Sequence, residues 1–325
     1  MSVLALPAAV LAWVGRQGTR AIAALVFIGI AVPPLGALLR PFVTAAIFLL
    51  LCIAFARVDP TALRSYLRQP GIVLAATGWT MLVVPLLFGA ICLAIGLDSR
   101  APDLFLALML QAVAPPMMAG PAFAALMGLD ATLVLATLVT STALTPLTAP
   151  LFAYALIGPG LALSPLMLGL KLFAILAGSA LVAFLVRRLV GGAAIAARND
   201  EIDGLNILVA FVFVAAVTQH VAEQFIAAPL ATVGLTALAF AVSLAMLGLT
   251  GAVFALAGRE RALALAFMAS QRNLGLMLAA TGGALPDFVW LYFGLYQFPI
   301  YLLPQLLKPL VRRLIGRAQI APRAA

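Results

Sequence analysis

The sequence predicts an all-α, polytopic membrane protein whose ten transmembrane helices form two inverted repeats of five. Composition predicts the class, because 65% of the 325 residues are hydrophobic, 9% are charged and the mean hydropathy is +1.20. A soluble globular domain carries about 25% charged residues, so the chain is expected to lie in a lipid bilayer. The number of helices follows from ten apolar stretches that charged residues, prolines or glycines separate.

Nine of the ten stretches are near or above the roughly 20 residues that a helix needs to cross the hydrocarbon core, and the second is marginal at about 17. Residues 1–14 are also apolar, but the basic residues Arg16 and Arg20 follow them, whereas a cleaved signal has its charges in front. This segment is expected to be interfacial or re-entrant. The predicted spans are residues 19–38, 41–57, 71–96, 102–127, 130–157, 163–187, 203–226, 229–257, 261–282 and 286–314.

The basic residues predict that both termini lie in the cytoplasm, since cytoplasmic loops are rich in Lys and Arg. The expected location, a bacterial inner membrane, is an implication of the family resemblance given below. Only Arg40 and Arg100 fall outside in this orientation, and Lys171 and Arg272 lie within spans. The net charge of +9 has the same origin, so no nucleic-acid partner is expected. The fifteen residues placed inside are Arg16, Arg20, Arg57, Arg64, Arg68, Arg187, Arg188, Arg198, Arg259, Arg261, Lys308, Arg312, Arg313, Arg317 and Arg323.

The remaining composition argues against an enzyme. No hydrophilic stretch is long enough for a catalytic or sensing domain, and no Walker-type phosphate loop, HExxH or GxSxG pattern occurs. Cys52 and Cys92 both lie in apolar stretches, which suggests neither a metal site nor a disulfide. No cofactor is expected, and the expected partner at this point is the bilayer, with the protein as a monomer.

Arg272 is the most informative residue. An arginine at mid-membrane costs about 2.5–3.5 kcal/mol on insertion scales, so such residues usually face a polar cavity or a partner. Ser270, Gln271 and Asn273 flank it inside the ninth predicted span. A polar, glycine-containing patch in a hydrophobic span is typical of an unwound helix that lines a transport site.

The two halves, residues 1–160 and 161–325, share a weak similarity that predicts inverted repeats. Residues 106–120 read LALMLQAVAPPMMAG and residues 263–275 read LALAFMASQRNLG, each in the fourth span of its half. The comparison sets Pro115–Pro116 against Arg272–Asn273. Two consecutive prolines remove two backbone donors, so the fourth span is expected to break near mid-membrane.

These motifs resemble those of the bile acid:sodium symporter family. The sequence Arg272-Asn-Leu-Gly-Leu276 is similar to the family's Gln-Asn-x-Gly-Leu motif of helix nine, and Ala114-Pro-Pro-Met117 lies at its helix-four break. Residues 137–146, rich in threonine and ending in proline, resemble its helix five. The resemblance implies that broken helices four and nine cross, that helices 3–5 and 8–10 form a core and helices 1, 2, 6 and 7 a panel, and that rocking around a substrate between them gives alternating access.

The departures from the family concern its sodium ligands. Met268 stands where the family has a glutamate, Arg272 replaces the motif glutamine, and Thr80, five residues before Pro85, replaces another glutamine. Gly120 and Pro121 replace a serine and an asparagine. Hard cations need oxygen ligands, so the usual two sodium sites are expected to be absent.

The predicted function is therefore secondary active transport of organic anions, most of all amphipathic carboxylates or sulfonates. Arg272 would replace the sodium charge by donating to freed carbonyls around Pro115, or bind the anion directly, and both can hold. The structural alternative is that it pairs with a buried carboxylate. The residues expected to line the substrate site and the helix crossing are Arg272, Asn273, Gln271, Ser270, Pro115, Pro116, Met117 and Thr80.

Three other interpretations stay open. His220 and Glu223 are one helical turn apart and are candidates for a proton relay, although the pair lies near a span end and could be solvated. Thr140, Ser141, Thr142 and Thr145 are expected to bond their own helix. A channel, a ligand sensor of the same fold, or an efflux carrier of the arsenite or auxin type are the alternative functions.

Overall fold

The computed structural model describes residues 5–58, 70–158, 161, 163–282 and 284–316. Within these ranges the chain is nearly all helical and contains no β-strand. Two π-helices, Trp79–Val83 and Ala153–Ile157, continue longer α-helices. The α-helices are α1 (Ala5–Gln17), α2 (Thr19–Ala31), α3 (Pro33–Leu39), α4 (Val43–Ala56), α5 (Pro70–Gly78), α6 (Val84–Ala94), α7 (Leu97–Arg100), α8 (Pro102–Val113), α9 (Gly120–Met127), α10 (Ala131–Phe152), α11 (Pro165–Val190), α12 (Gly192–Ala197), α13 (Asn199–Thr218), α14 (Val221–Ala227), α15 (Pro229–Val253), α16 (Arg259–Ser270), α17 (Leu274–Thr281), α18 (Asp287–Leu295) and α19 (Gln297–Ile315).

Six helical segments of the described chain are long and apolar enough to cross a membrane, which confirms the class of the protein. They correspond to the second, third and fifth to eighth predicted spans. The segments are Pro33–Ala56, Pro70–Ala94, Ala131–Ile157, Pro165–Val190, Asn199–Ala227 and Pro229–Val253.

The other four predicted spans consist of shorter helices, so a total of ten crossings stays a prediction. The first span ends earlier than predicted, because the chain leaves the helix at Val32 (φ −125°, ψ 69°) and not near residue 38. Pro33 restricts the residue before it to extended conformations, which explains the position of the break. Helical turns then continue from α3 through Arg40–Phe42 into α4.

The chain forms two compact units, and each of them contains segments from both halves of the sequence. The first unit comprises the described residues of Met1–Val58, Leu161–Leu235 and Gly275–Gln297, and the second comprises those of Asp59–Gly160, Thr236–Leu274 and Phe298–Ala325. The unit boundaries fall inside α15, near the start of α17 and near the start of α19. The proposed panel and core remain a prediction.

Helix α13 is the centre of the first unit, where it packs against α1, α2, α3, α4 and α18. Glycine permits the closest of these approaches: a Cβ on Gly294 of α18 would overlap the backbone oxygen of Val217 in α13. At one end of the unit, Arg57 contacts Asp203 at 2.6 Å and Arg187 donates to the carbonyl of Ala56 at 2.7 Å. These groups come from segments that the basic-residue distribution places on one side of the membrane.

At the other end of the first unit, Arg40 contacts Asp287 at 3.2 Å, and its guanidinium carbon lies 4.5 Å from the centre of the Trp290 ring. Arg40 is one of the two basic residues that the orientation places outside. Four residues that it places inside lie outside the described ranges, namely Arg64, Arg68, Arg317 and Arg323.

Helix α10 is the centre of the second unit and packs against α5, α8, α9, α16 and the first π-helix. Its first turn is capped by Asp130, whose carboxylate accepts from the backbone N–H of Leu133 at 2.9 Å, a favourable arrangement at a helix N-terminus. Residues of α9, α10 and α16, including Phe123 and Phe267, form an apolar core in this unit. This core supports the segment that holds Arg272.

Candidate functional site around Arg272

Two helix interruptions meet in the second unit. Between α8 and α9 the chain is extended at Ala114 (φ −63°, ψ 144°), and between α16 and α17 it is extended at Gln271 (φ −107°, ψ 104°). Pro116 and Arg272 form an isolated antiparallel β-bridge between these two segments. The backbone N–H of Met117 donates to the Gln271 carbonyl at 2.8 Å.

The second hydrogen bond of this bridge runs from the backbone N–H of Asn273 to the carbonyl of Pro115, also at 2.8 Å. In such an antiparallel pair the two facing residues exchange no hydrogen bond, and the bonds are made by their neighbours. The bridge therefore needs no N–H from Pro115 or Pro116. Prolines, which would interrupt most backbone pairings, are compatible with this one.

The side chain of Arg272 is completely buried, with 0% of its surface exposed. One terminal nitrogen donates to the carbonyl of Ala114 at 3.0 Å, and both terminal nitrogens lie 3.4 Å from the carbonyl oxygen of Thr80. The longer contacts act mainly as charge–dipole attraction. Among the described residues, no other Lys, Arg, Asp or Glu side chain is buried.

The Thr80 carbonyl is available because its own helix cannot satisfy it. In an α-helix it would accept from residue 84 and in a π-helix from residue 85. The N–H of Val84 instead bonds to Trp79, and Pro85 has no N–H. Buried carbonyls need partners, and Arg272 supplies one from a different part of the chain.

The Ala114 carbonyl is available for a related reason. Helix α8 ends at Val113, and the extended conformation of Ala114 is the one that a following proline favours. Its carbonyl oxygen lies just beyond the last helical turn, where no further turn of the helix supplies an N–H donor. Prolines thus release both carbonyls that surround the guanidinium.

The other predicted site residues lie around this bridge in different environments. The Ser270 hydroxyl donates to the Phe267 carbonyl at 2.7 Å, and the Gln271 amide nitrogen lies 3.3 Å from Ser270 Oγ. The Gln271 side-chain oxygen is buried without a hydrogen-bond partner among the described residues. Asn273 and Met117 are partly exposed.

The residues that the sequence comparison aligned with sodium ligands lie in different settings. Met268 is 1% exposed and lies in the apolar core of the second unit. Gly120 and Pro121 form the first turn of α9. Thr80 contacts Arg272 through its backbone oxygen, so that contact does not depend on which side chain residue 80 carries.

The hydroxyl groups on α10 fall into two classes. Thr140 and Thr145 donate to carbonyls of their own helix, as expected from the sequence, and Thr148 does the same. Ser141 and Thr142 were expected to do the same, but their hydroxyls are buried without a partner in the described structure. That expectation was wrong for these two residues, because the preferred partner of a helical hydroxyl depends on its rotamer.

His220 lies at an interruption between α13 and α14 in the first unit. Its Nδ1 is 3.3 Å from the Glu223 carboxylate and its Nε2 is 2.9 Å from the Gln219 amide nitrogen. The histidine and glutamate side chains are 39% and 65% exposed. The predicted pair is therefore in contact and partly exposed at the protein surface, and its role as a proton relay stays a prediction.

Sequence reasoning missed two contributors to the site. Trp79 donates its indole N–H to the Thr250 hydroxyl at 2.9 Å and so ties the first π-helix to α15. Thr77 and Thr140 share a hydrogen bond of 2.7 Å between α5 and α10. No local sequence pattern predicts either hydrogen bond, although the spacing of Thr80 and Pro85 could have indicated the released carbonyl.

Comparison with known proteins supplies no relative, since the chain matches no protein-family model and no curated protein.

Proposed function

We propose that the protein is a secondary active transporter of organic anions that works by alternating access without the usual two sodium sites. The observation that carries the proposal is the burial of Arg272 between two interrupted helices. A permanent charge in an apolar unit marks transport and ligand pathways far more often than ordinary packing. Half-helices that end at mid-membrane are the sites at which carriers bind ions and substrates.

The guanidinium contacts favour the hypothesis of a fixed cation. Arg272 donates to carbonyl groups of the kind that would otherwise coordinate a metal ion, so its charge occupies the place of a mobile one. The resemblance of residues 272–276 to the helix-nine motif of bile acid:sodium symporters points to the same location. The proposed crossing of broken helices four and nine would then be held together by the protein itself.

Uptake into proteoliposomes tests the proposal. Benzoate and benzenesulfonate are the anionic probes, and phenyltrimethylammonium is a cation of similar size. Sodium and proton gradients are imposed separately. We expect saturable anion uptake without sodium, and a loss of at least tenfold in Arg272→Gln and Arg272→Ala, since one charge-assisted contact is worth about tenfold or more.

Lys171→Gln is the matched control, because it removes a basic side chain within a predicted span that contains neither of the two helix interruptions. Its uptake should stay within about twofold of the unmodified protein, as expected when no substrate contact is lost. A strict sodium requirement, or uptake that is unchanged in both Arg272 variants, contradicts the proposal. Currents far above carrier turnover would favour a channel.

A further inference from the structure

Four residues with buried hydroxyl groups lie within one helical turn of a single hydrogen bond in the second unit. That bond joins Thr77 of α5 to Thr140 of α10 at 2.7 Å. Each of the four residues is within three positions of Thr77 or Thr140, and a helical turn holds 3.6 residues, so all lie within one turn of this contact. The hydroxyl cluster consists of Thr80, Thr137, Ser141 and Thr142.

The hydroxyl cluster has unmet hydrogen-bonding capacity. All four side chains are at most 2% exposed, and none of their oxygens has a partner within the described part of the chain. Native proteins pair nearly all buried polar groups, with bound water or ligands where protein groups are absent. Thr145 and Thr148 on the same helix bond to their own backbone, so the cluster differs from the ordinary behaviour of α10.

The charge next to the cluster decides which ligand fits. Hydroxyls can donate to an anion or accept from a cation. The Arg272 guanidinium contacts the carbonyl of Thr80, one of the cluster residues. A cation there would be repelled by this fixed charge, and no Asp or Glu is buried in the described residues to offset the repulsion.

One nearby group favours a positive ligand instead. The buried oxygen of the Gln271 amide is an acceptor without a described partner. Rotation of that amide by half a turn presents its NH₂ group in place of the oxygen. A full positive charge outweighs a neutral amide dipole, so the net preference is for an anion.

We propose that the hydroxyl cluster and Arg272 bind a monovalent anionic group, which is either the carboxylate of an organic substrate or a free halide ion. The inference rests on the proposed function, since it names the group that this site would take. The hydroxyls would supply donors to the anion, while Arg272 would supply the compensating charge. An anion in this position satisfies groups that the protein leaves unpaired.

The test uses the full-length protein in detergent at constant ionic strength. Thermal stability is measured while sulfate is replaced by chloride, bromide or benzoate. Thr80→Val removes a hydroxyl but keeps the carbonyl that contacts Arg272, and Ser141→Ala removes a second hydroxyl. Each should weaken the apparent affinity for the stabilising anion by about tenfold, whereas the control Thr148→Val should leave it unchanged.

The stabilising probe identifies the source of the anionic group. Stabilisation by chloride and bromide that depends on Thr80 and Ser141 supports a halide, and bromide should then appear in an anomalous difference map at the cluster. Stabilisation by benzoate alone supports a substrate carboxylate. Equal affinities in the control and both cluster variants, or no stabilisation together with only water molecules at the cluster, overturns the inference.

Transport separates this inference from the proposed function. If anion uptake needs Arg272 but binding does not need Thr80 or Ser141, the anion site is wrong and the transporter stands. If bromide or benzoate binding needs these hydroxyls but no organic anion is taken up, the anion site stands and the transporter is wrong.

Discussion

Arg272 keeps its charge in an apolar unit because backbone dipoles surround it. Insertion scales put a mid-membrane arginine at about 2.5–3.5 kcal/mol, and the guanidinium has five N–H donors in a planar fork to offset this cost. Its terminal nitrogens contact the Thr80 and Ala114 carbonyls, which come from two different helices. A lysine would retain the charge, but it would offer three donors from one strongly hydrated nitrogen in place of five donors in a planar fork.

The Trp79–Thr250 hydrogen bond should be measurable as a coupling energy, because it fixes the π-helix that contains Thr80. Trp79→Phe and Thr250→Val each remove one partner of a bond in a largely buried location. We expect each variant to lower the free energy of unfolding, and the pair to show a coupling of about 1 kcal/mol. Unfolding in mixed micelles titrated with SDS measures all three.

Thr148→Val serves as the control partner, since its hydroxyl bonds to Leu144 within α10. Its effect should add to that of Trp79→Phe without coupling. Strict additivity of the Trp79 and Thr250 substitutions would show that the hydrogen bond contributes nothing to stability.

Among the elements, the π-helix and the helix end at Ala114 have the same consequence. Each leaves one carbonyl without a donor in its own helix, and in each a proline is the reason. Pro85 lies five residues after Thr80, where the π-helical donor would be, and Pro115 follows Ala114 directly. Each proline thus leaves a carbonyl that needs a donor from elsewhere, and Arg272 supplies it to both.

Pro85→Ala should make the protein less dependent on Arg272, because residue 85 then carries an N–H that can bond to the Thr80 carbonyl. Arg272→Gln alone should reduce the free energy of unfolding. In the Pro85→Ala background the same substitution should cost about 1 kcal/mol less, the value of one hydrogen bond. A thermal or SDS unfolding cycle gives the difference.

Pro309→Ala is the matched control, as it restores an N–H inside α19, where no carbonyl of the π-helix can use it. The cost of Arg272→Gln should be the same with and without this change. If Pro85→Ala has no more effect than Pro309→Ala, the released carbonyl is not what couples Arg272 to the π-helix.

For the whole molecule, sequence patterns predicted the features that depend on local chemistry. Apolar length predicted the six long helices, and Pro115 predicted the end of a helix, which falls at Val113. The end of the first helix was predicted several residues too late, because the apolar stretch continues past Val32 and hydropathy alone does not show that Pro33 ends the helix. For Arg272, one of the hypotheses from the sequence was donation to freed carbonyls near Pro115, and the guanidinium contacts the Ala114 carbonyl.

The remaining features depend on distant neighbours. Thr80 was singled out for its side chain, but its backbone oxygen makes the contact, since the π-helix releases it. The unpaired hydroxyls of Ser141 and Thr142 depend on rotamers that packing selects. The two compact units combine segments from both sequence halves. Periodicity does not indicate such a division, and only the family resemblance implied a core and a panel that each draw on both halves.

The contacts of Arg272 also set an order of events during biosynthesis. The Ala114 and Thr80 carbonyls precede the arginine by 158 and 192 residues. Until residue 272 emerges from the ribosome, both lack this donor inside a membrane, where an unsatisfied group costs several kcal/mol. The newly inserted first half is therefore expected to be vulnerable to quality-control proteases.

Pulse–chase lifetimes of truncated chains should show whether the chain is degraded faster before Arg272 is present. A chain that stops at residue 258 lacks Arg272, whereas one that stops at residue 282 contains it and ends after α17. The longer chain should survive several-fold longer, because stabilisation by about 1.4 kcal/mol changes the unfolded fraction about tenfold. Arg272→Gln in the longer chain should shorten its lifetime to that of the shorter one. Equal lifetimes for all three chains would show that Arg272 does not stabilise the inserted first half.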